Sequence, residues 1–428
     1  MIKESVYNRE TKINDDYLMY NTFTRKYMKY NQATRLGLKK LMSTLDKGEF
    51  TVQEFQVIKN LIERGFLVND NIDEVNNIKH IEGKVKLSKG LYYLVLQPTL
   101  DCNFRCPYCY EKHKSVSMNE EVAQNVVSLI DNVSKENERL LIGWFGGEPL
   151  LEKNLILRLS KKIRQTCDKN QCRYQCSMTT NGYLLDEEFI EHIDEIGLKH
   201  IQVTLDGNKE YHNKMRPLIN GEGTYEVIEK NLKKLIKKDI FLTLRINVKE
   251  YNYEHIGEIF DIIPQDERHK VQINLCNVFQ EDTKLSMFNI YMEALNKGYK
   301  VGVFTNRFKT CEANINKTIV VDPEGMCAPC SVAAENNFYY GKLNKEGTID
   351  FINKDGFDEF NGFSPCNTEN CSKCNQLAMC MGGCKYSKFL NPKICNGKLP
   401  DGLSLDEKIL LHYYSDVKNK KPIYEAVL

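Results

Sequence analysis

The chain has 428 residues, with 59 lysine and arginine side chains against 58 aspartates and glutamates, which gives a formal net charge of +1. This length supports two or three domains, and nucleic-acid binding is not expected because it favours a clear basic excess. The N-terminus has no apolar signal region and no uncharged run approaches about 18 residues, so neither a signal peptide nor a membrane span is predicted and a cytoplasmic protein is expected.

The first 85 residues are predicted to form a small α+β module. Gly65 is expected to cap a helix before a short strand. The polar, charged stretch 70–90 is interpreted as a linker. The module's strands and helices are predicted over 17–31, 33–48, 51–65 and 66–69.

Between residues 91 and 300, short β-rich runs alternate with amphipathic helical stretches. Six such units predict a parallel sheet with helices outside it, either an open partial barrel or a doubly wound sheet. In either fold, functional groups belong at the carboxyl ends of the strands. The strands are predicted at 91–97, 139–145, 174–180, 200–206, 240–248 and 271–278.

The sixteen cysteines are unevenly distributed, with none before residue 90, four dispersed through the middle and nine between 311 and 395. The other three, Cys102, Cys106 and Cys109, form a C-x3-C-x2-C loop after the first predicted strand. A reducing compartment argues against disulfides. A [4Fe–4S] cluster normally takes four thiolates, so three would leave one iron open to a small molecule. Three packing cysteines or half a zinc site are the simpler alternatives.

This loop, with Tyr108 before its last cysteine, resembles the radical S-adenosylmethionine (SAM) enzymes. The resemblance implies that the open iron binds the amino and carboxylate groups of SAM. It further implies that a donor such as flavodoxin or ferredoxin reduces the cluster, and that a 5′-deoxyadenosyl radical results. The same resemblance, carried by "WFGGEPLL", "TTNGYLLD", "VTLDG" and "HNKMRPL", implies SAM contacts by Tyr108, Gly147, Glu148, Thr180, Asn181, Thr204, Asp206, Arg216 and Leu275. In it, Glu148 binds the amine, Thr204 and Asp206 the ribose, Arg216 the carboxylate and Leu275 the adenine.

The last third of the chain contains "CSKCNQLAMCMGGC", a C-x2-C-x5-C-x3-C block. With its flanking cysteines it resembles the SPASM domain, which carries two auxiliary [4Fe–4S] clusters, and a zinc ribbon is the physical alternative. The resemblance implies Cys311, Cys330 and Cys384 for the nearer cluster and Cys371, Cys374, Cys380 and Cys395 for the farther one.

The nearer cluster is then one ligand short. Cys327 could complete it, or the open iron could take a substrate thiolate. The unassigned cysteines, Cys167, Cys172, Cys176, Cys276 and Cys366, are predicted to be ordinary buried side chains.

The resemblance implies four segments. The first, 1–85, is similar to a winged-helix module that recognises a leader peptide, and the second, 86–304, is the radical SAM core as a partial (β/α)6 barrel. The third, 305–400, is the SPASM domain with two auxiliary clusters, and the fourth, 401–428, is a closing helix and tail. Leader recognition would add a strand to an exposed edge. A purely structural cap is the alternative for the first segment.

We therefore expect an enzyme that abstracts hydrogen from a ribosomally made precursor peptide and forms a crosslink, a cysteine thioether or a carbon–carbon bond. An anaerobic sulfatase maturase, which makes formylglycine from cysteine or serine, is the alternative. Those enzymes place an aspartate base just after the upstream auxiliary cysteine, where this chain has Ser331, a poor base. A non-catalytic iron–sulfur or zinc scaffold is a third, more remote alternative.

Overall fold

The computed structural model describes residues 1–87, 90–277, 285–302, 311, 313, 318–395 and 402–421. Its first part pairs a two-stranded sheet with a three-stranded antiparallel sheet in the order β2-β3-β4, beside three helices. The elements are β1 (Ile2–Glu4), β2 (Asn8–Ile13), β3 (Asp16–Asn21), β4 (Tyr27–Tyr30), α1 (Gln32–Met42), α2 (Val52–Arg64), β5 (Leu67–Asn69) and α3 (Glu74–Leu87).

Local capping explains where the second helix of this part begins and ends. The Thr51 hydroxyl accepts from the Glu54 backbone N–H while the Glu54 carboxylate accepts from Thr51, a reciprocal capping box. Gly65 ends α2 in the left-handed conformation, with φ of 80°. The predicted C-cap at Gly65 is confirmed.

The predicted linker over 70–90 is wrong, because most of it is helix α3. Charged side chains outnumber apolar ones over the stretch 70–90, but Ile78 is buried against Tyr7 and Cys366. Glu74 is buried as well, and its carboxylate accepts from the Ser5 hydroxyl and from the Val6 backbone N–H. The helix therefore has buried partners along one side, while several of its other polar side chains, such as Asn76 and Lys79, are exposed.

The centre of the molecule is an eleven-stranded sheet in the order β12-β11-β10-β9-β8-β7-β6-β13-β14-β15-β16. Strands β6 to β11 are parallel, and they are the six predicted strands. The central elements are β6 (Leu91–Leu96), α4 (Glu120–Ser134), β7 (Arg139–Trp144), α5 (Lys153–Lys169), β8 (Arg173–Thr180), α6 (Glu187–Glu191), β9 (Leu198–Thr204), α7 (Lys209–Met215), α8 (Tyr225–Leu235), β10 (Phe241–Val248), β11 (Val271–Asn277), α9 (Phe288–Lys297) and β12 (Lys300–Val301).

The C-terminal part extends the same sheet instead of forming a separate one. Strand β13 pairs in parallel with β6, and three short antiparallel strands follow it. These elements are β13 (Thr318–Val321), β14 (Met326–Ala328), α10 (Ser331–Glu335), β15 (Gly341–Leu343), β16 (Ile349–Phe351), α11 (Lys354–Gly362), α12 (Glu369–Ser372), α13 (Leu377–Cys380), α14 (Lys385–Leu390) and α15 (Leu405–Lys418). The predicted closing helix is confirmed as α15, which begins with a capping box at Ser404.

The two faces of the parallel strands differ in chemistry. Alternate residues such as Leu94, Ile142 and Ile201 are buried in the main core with the helices. Residues of the opposite parity line a cavity of about 580 Å³, among them the amide side chains of Gln202 and Asn274. The inner face of the strands is therefore mixed, with polar amides among apolar side chains such as Tyr93 and Val95.

The first part of the chain shares its cores with the C-terminal part. Tyr7 lies in one apolar cluster with Cys366 and Leu377, and Leu18 lies in another with Ile409. Arg9 adds a bidentate ion pair with Asp406 at 2.9 and 3.1 Å. Among the described residues, none of the helices has the length and apolarity that a membrane crossing needs.

Candidate active site

The three-cysteine loop follows β6 and lies at the carboxyl end of the parallel strands. Cys102 is buried, Cys106 is half-buried and Cys109 is exposed. Burial raises the pKa of the Cys102 thiol to about 12 and that of Cys109 to about 11. The thiols are therefore not prepared as free nucleophiles, whereas a bound metal centre would deprotonate them.

These thiols line a cavity of about 150 Å³. The walls come from the loops after several different strands, as expected for the carboxyl end of a parallel sheet. The structure brings to this cavity most of the residues predicted from the sequence: Cys102, Cys106, Tyr108, Cys109, Gly147, Thr180, Asn181, Thr204 and Arg216.

The Gly-Gly-Glu turn after β7 is held tightly against the cysteine loop. A Cβ atom at Gly147 would lie 2.1 Å from the carbonyl oxygen of Asp101, and Gly146 has a φ of 99°. The Glu148 backbone N–H donates to the same Asp101 oxygen at 2.8 Å. Both glycines are thus required for contact with the chain's own backbone, in addition to any approach of a ligand.

The Glu148 side chain lies beneath the cavity wall and is fully buried. Its carboxylate accepts from the Leu150 N–H at 3.0 Å, the Thr180 hydroxyl at 2.7 Å and the Asn181 N–H at 2.7 Å. Burial raises the pKa of Glu148, and these hydrogen bonds oppose that shift. Since a carboxylate offers about four acceptor sites, roughly one remains for a ligand.

A second set of hydrogen-bonded polar side chains joins the cysteine loop to the ends of β9 and β10. The Tyr108 hydroxyl donates to the Asp206 carboxylate and accepts from Arg216 Nη1 at 2.8 Å and Asn247 Nδ2 at 3.2 Å. Asp206 also accepts from the Asn247 backbone N–H at 2.8 Å. These contacts fix the Tyr108 ring and the Arg216 guanidinium beside the three thiols.

Arg216 retains an unused donor. The residue is 8% exposed, and within the described part of the chain its Nε atom has no hydrogen-bond partner. The guanidinium carbon lies 5.5 Å from the centre of the Phe104 ring. A buried cationic donor without an acceptor fits an anionic group such as a carboxylate in the cavity.

His212 is a residue to which the sequence analysis gives no role. It is fully buried, and burial together with Arg216 holds its pKa well below the ordinary value. Its Nδ1 accepts from the Asp206 backbone N–H at 3.2 Å, so Nε2 carries the proton and faces the Thr224 hydroxyl at 3.1 Å. Thr224 in turn donates to the Arg216 carbonyl. The neutral imidazole therefore positions both Asp206 and Arg216.

Leu275 is placed away from the cavity. It pairs with Ile246 in the sheet and is buried in the main core at 1% exposure. The neighbouring Cys276, which pairs with Asn247, is on the opposite face of β11. Phe145, Gln202, Arg245 and Asn247 line the cavity without having been predicted.

The C-terminal cysteines fall into two groups. Cys330 is buried in an apolar cluster against which Cys311 and Cys384 pack, the three thiols predicted for the nearer cluster. Cys371 and Cys374 pack against a different cluster. Cys380 is half-buried, and Cys395 is exposed.

Cys327 belongs to neither group. It is fully buried in the main core with Val321 and Leu343. Burial raises the pKa of its thiol to about 12. The predicted burial of Cys167, Cys172, Cys176 and Cys366 is confirmed, while Cys276 is half-buried. In the described ranges, no group of three or more His, Cys, Asp or Glu side chains is arranged to hold a single metal ion.

Comparison with known proteins identifies the central part of the chain. Residues 96–263 match the model of the radical SAM superfamily. The chain is 22% identical to the radical SAM cyclopropyl synthase TigE of Paramaledivibacter caminithermalis, over 84% of this chain and 82% of that protein. It is 21% identical to a cysteine-type anaerobic sulfatase-maturating enzyme of Clostridium novyi, over 72% of this chain and 91% of that enzyme.

Among solved structures, Streptococcus suis SuiB bound to its precursor peptide SuiA is similar, with a TM-score of 0.50 and 13% identity. The similarity covers 94% of this chain and 98% of SuiB. Another SuiB structure, also at a TM-score of 0.50, has S-adenosylmethionine bound. At this level of identity the likeness establishes the fold.

Proposed function

Since residues 96–263 form a radical SAM domain, we propose that this enzyme cleaves SAM reductively and uses the radical to crosslink a ribosomally made precursor peptide in the cytoplasm. The observation that carries the proposal is that the three loop thiols and Arg216 line one and the same cavity. When bound, the cluster and SAM supply one-electron chemistry: a hydrogen atom leaves a substrate carbon, and a proton and an electron leave as the new bond forms. The electron donor would be a flavodoxin or ferredoxin.

The residues around the cavity suit the two ends of a SAM molecule. Arg216 has an unused buried donor for the carboxylate, and a guanidinium offers the planar fork that such a pair needs. Glu148 would attract the ammonium group, while its hydrogen bonds hold Thr180 and Asn181 in the wall. Thr204 lines the cavity and would face the ribose, while Asp206, which is fully buried and does not line it, would act by anchoring Tyr108. Leu275, which is buried in the main core, would not contact the adenine and would only support the cavity wall by packing behind it.

We further propose the four segments 1–85, 86–304, 305–400 and 401–428, with SPASM-type ligation in the third. The nearer cluster would be held by Cys311, Cys330 and Cys384, which pack around one apolar cluster. The farther one would be held by Cys371, Cys374, Cys380 and Cys395. The burial of Cys327 in the main core favours a three-thiolate site that can bind a substrate thiolate. A bound thiol is deprotonated, which would prepare its sulfur for attack by a carbon radical.

A peptide substrate with a leader is supported by the likeness to SuiB, whose precursor peptide is bound in its solved structure. The antiparallel sheet β2-β3-β4 has two edge strands to which an extended leader could add a strand. Because this module shares its cores with the C-terminal part, leader binding would be transmitted to the auxiliary thiols by direct packing.

Formylglycine formation is the second candidate, favoured by the similarity to the Clostridium novyi maturating enzyme. That reaction needs a base beside the upstream auxiliary cysteine. Here the side chain at this position is Ser331, which is 6% exposed, and an unassisted serine is a poor base near neutral pH. Crosslinking through a cysteine thioether is therefore the preferred assignment.

Mass spectrometry of a reacted precursor peptide separates the two reactions. A thioether gives the loss of two hydrogens and a cysteine that no longer reacts with an alkylating reagent. Formylglycine gives an aldehyde that reacts with hydrazides. The aldehyde would reject the crosslinking assignment and establish the alternative.

A further inference from the structure

The first module meets the block of auxiliary cysteines at a cavity of about 270 Å³. Among the residues that line it, Tyr7 and Glu74 belong to the module, whereas Cys374 and Asn375 belong to the cysteine block. The Thr22 hydroxyl donates to the Asn375 carbonyl at 3.4 Å, which joins the two parts next to Cys374. The contact therefore lies beside one of the four thiols proposed for the farther cluster.

Tyr7 has a buried hydroxyl group without a partner. The residue is 1% exposed, and in the described part of the chain its Oη atom has no hydrogen-bond partner. Because this oxygen has almost no accessible surface, the partner that it lacks is a neighbouring group of the chain itself and not an incoming ligand. A buried hydroxyl whose hydrogen bond is unmade costs free energy, so a native protein is expected to supply an acceptor.

The Tyr7 ring lies in an apolar cluster that also contains thiols. Cys366 is in the core of this cluster, and Cys371 and Cys374 pack against it. Cys366 and Cys374 are near enough for a negative charge on either sulfur to act on the Tyr7 hydroxyl. Burial, followed by the nearby negative charges, raises the pKa of Tyr7, so the hydroxyl keeps its proton and is a donor.

The other groups whose charge acts on this hydroxyl already have hydrogen bonds elsewhere. The Glu74 carboxylate accepts from a hydroxyl and a backbone N–H of the loop between β1 and β2, and Asp73 accepts from two backbone N–H groups in the first turn of α3. The Cys366 thiol is hydrogen-bonded to Glu82, and burial raises its pKa to about 11, so it stays neutral. A neutral thiol is a weak acceptor, whereas a thiolate bound to iron is a stronger one. Cys374, as a cluster ligand, is therefore the acceptor that fits.

We propose that the Tyr7 hydroxyl donates a hydrogen bond to the Cys374 sulfur of the farther auxiliary cluster. The proposal rests on the proposed function, because it assumes that Cys371, Cys374, Cys380 and Cys395 hold that cluster. Hydrogen bonds to the sulfur atoms help to set the reduction potential of an iron–sulfur cluster, and they raise it because they stabilise the more negative, reduced state. Tyr7 is therefore a residue of the first module that tunes an auxiliary cluster.

The test measures the reduction potentials of the auxiliary clusters in the full chain, loaded with iron and sulfide without oxygen. The triple variant Cys102→Ala/Cys106→Ala/Cys109→Ala removes the SAM-binding cluster, so only the auxiliary clusters contribute to the electron paramagnetic resonance spectrum. In this background, Tyr7→Phe should shift the equilibrium of one auxiliary cluster roughly threefold to tenfold towards its oxidised form and leave the other cluster unchanged. A tenfold shift lowers the potential of a one-electron couple by about 59 mV.

The matched control is Tyr30→Phe, at another buried tyrosine of the same module. The Tyr30 hydroxyl donates to Glu10 at 2.7 Å, and the described members of its apolar cluster include no cysteine. Tyr30→Phe should leave both potentials unchanged. The same shift in the Tyr7→Phe and Tyr30→Phe proteins would show a general loosening of the module and would overturn the proposal.

Thermal unfolding gives a second readout that does not depend on the spectrum. In the iron-free protein, Tyr7→Phe removes an unpaired hydroxyl and should leave the melting temperature unchanged or raise it. In the iron-loaded protein the same substitution removes a hydrogen bond and should lower the melting temperature. Unshifted potentials for both auxiliary clusters, or a melting temperature lowered equally in the two forms, would overturn the proposal alone. Little iron in the triple variant would instead reject the auxiliary clusters of the proposed function, and this inference with them.

Discussion

Replacing Glu148 by alanine should destabilise the fold as well as weaken SAM binding. The substitution removes the shared acceptor of three buried hydrogen bonds, from Leu150, Thr180 and Asn181. A hydrogen bond to a charged group contributes roughly 1.5–3 kcal/mol, but bonds to one carboxylate are not additive. Relief from burying the carboxylate, the cause of its raised pKa, offsets part of the loss. We therefore expect the free energy of unfolding to fall by about 3–5 kcal/mol, at the upper end for a single substitution.

The assay is urea unfolding of the protein without SAM, followed by equilibrium dialysis with SAM. Thr180→Val removes one of the three bonds and should cost about 1–2 kcal/mol. Glu188→Ala, at an exposed glutamate, is the matched control and should change little. If Glu148→Ala were as stable as the Glu188→Ala protein, the hydrogen-bonding role assigned to this carboxylate would be refuted.

Three other predictions concern the neighbouring histidine, the first module and the auxiliary thiols. The pKa of His212 is lowered in the folded protein, so below the ordinary histidine pKa of 6.5 the unfolded chain binds more protons than the folded one. The free energy of unfolding therefore falls as the pH falls below 6.5. In the His212→Asn variant, the free energy of unfolding should fall less steeply with pH, by up to about 1.4 kcal/mol per pH unit, as measured by urea unfolding at several pH values. The same dependence on pH in the variant and the unmodified protein would contradict the lowered pKa of His212. Deleting residues 1–85 would expose Ile409, which is 0% exposed in the full chain, so the truncated chain should melt at a lower temperature. An unchanged melting temperature would show that the packing of the first 85 residues on Ile409 does not stabilise the rest of the chain. Cys330→Ala should lose about four irons per chain while Cys327→Ala keeps them, and equal iron contents in the two variants would reject the three-thiolate site.

The six parallel strands could be predicted because each is a continuous β-rich run, and helices with a 3.6-residue period follow some of them, such as α4 after β6 and α8 after β9. The three-residue strands β14, β15 and β16 are too short to give such a pattern, so their extension of the central sheet was not predicted. Helix α3 was missed for a different reason. Its buried Glu74 takes hydrogen bonds from residues about 70 positions away, and its buried Glu82 takes one from Ser364, 282 positions away, which no local pattern contains.

The candidate site was predictable where its residues belong to short motifs, and not where partners meet from distant loops. Asn247 contacts Tyr108 across 139 positions of sequence, and His212 acts through Asp206 and Thr224. Neither has a spacing that distinguishes it from an ordinary polar residue. Leu275 shows the effect of parity in a strand, since a shift of one residue exchanges the core face for the inner face.

The formation of 5′-deoxyadenosine from SAM is the measurement that tests the central claim most directly. The anaerobically iron-loaded protein, reduced with dithionite, should form 5′-deoxyadenosine, and the Cys106→Ala variant, which loses one of the three loop thiolates, should form none. No 5′-deoxyadenosine from the reduced, iron-loaded protein, or the same amount from the Cys106→Ala variant, would contradict the account.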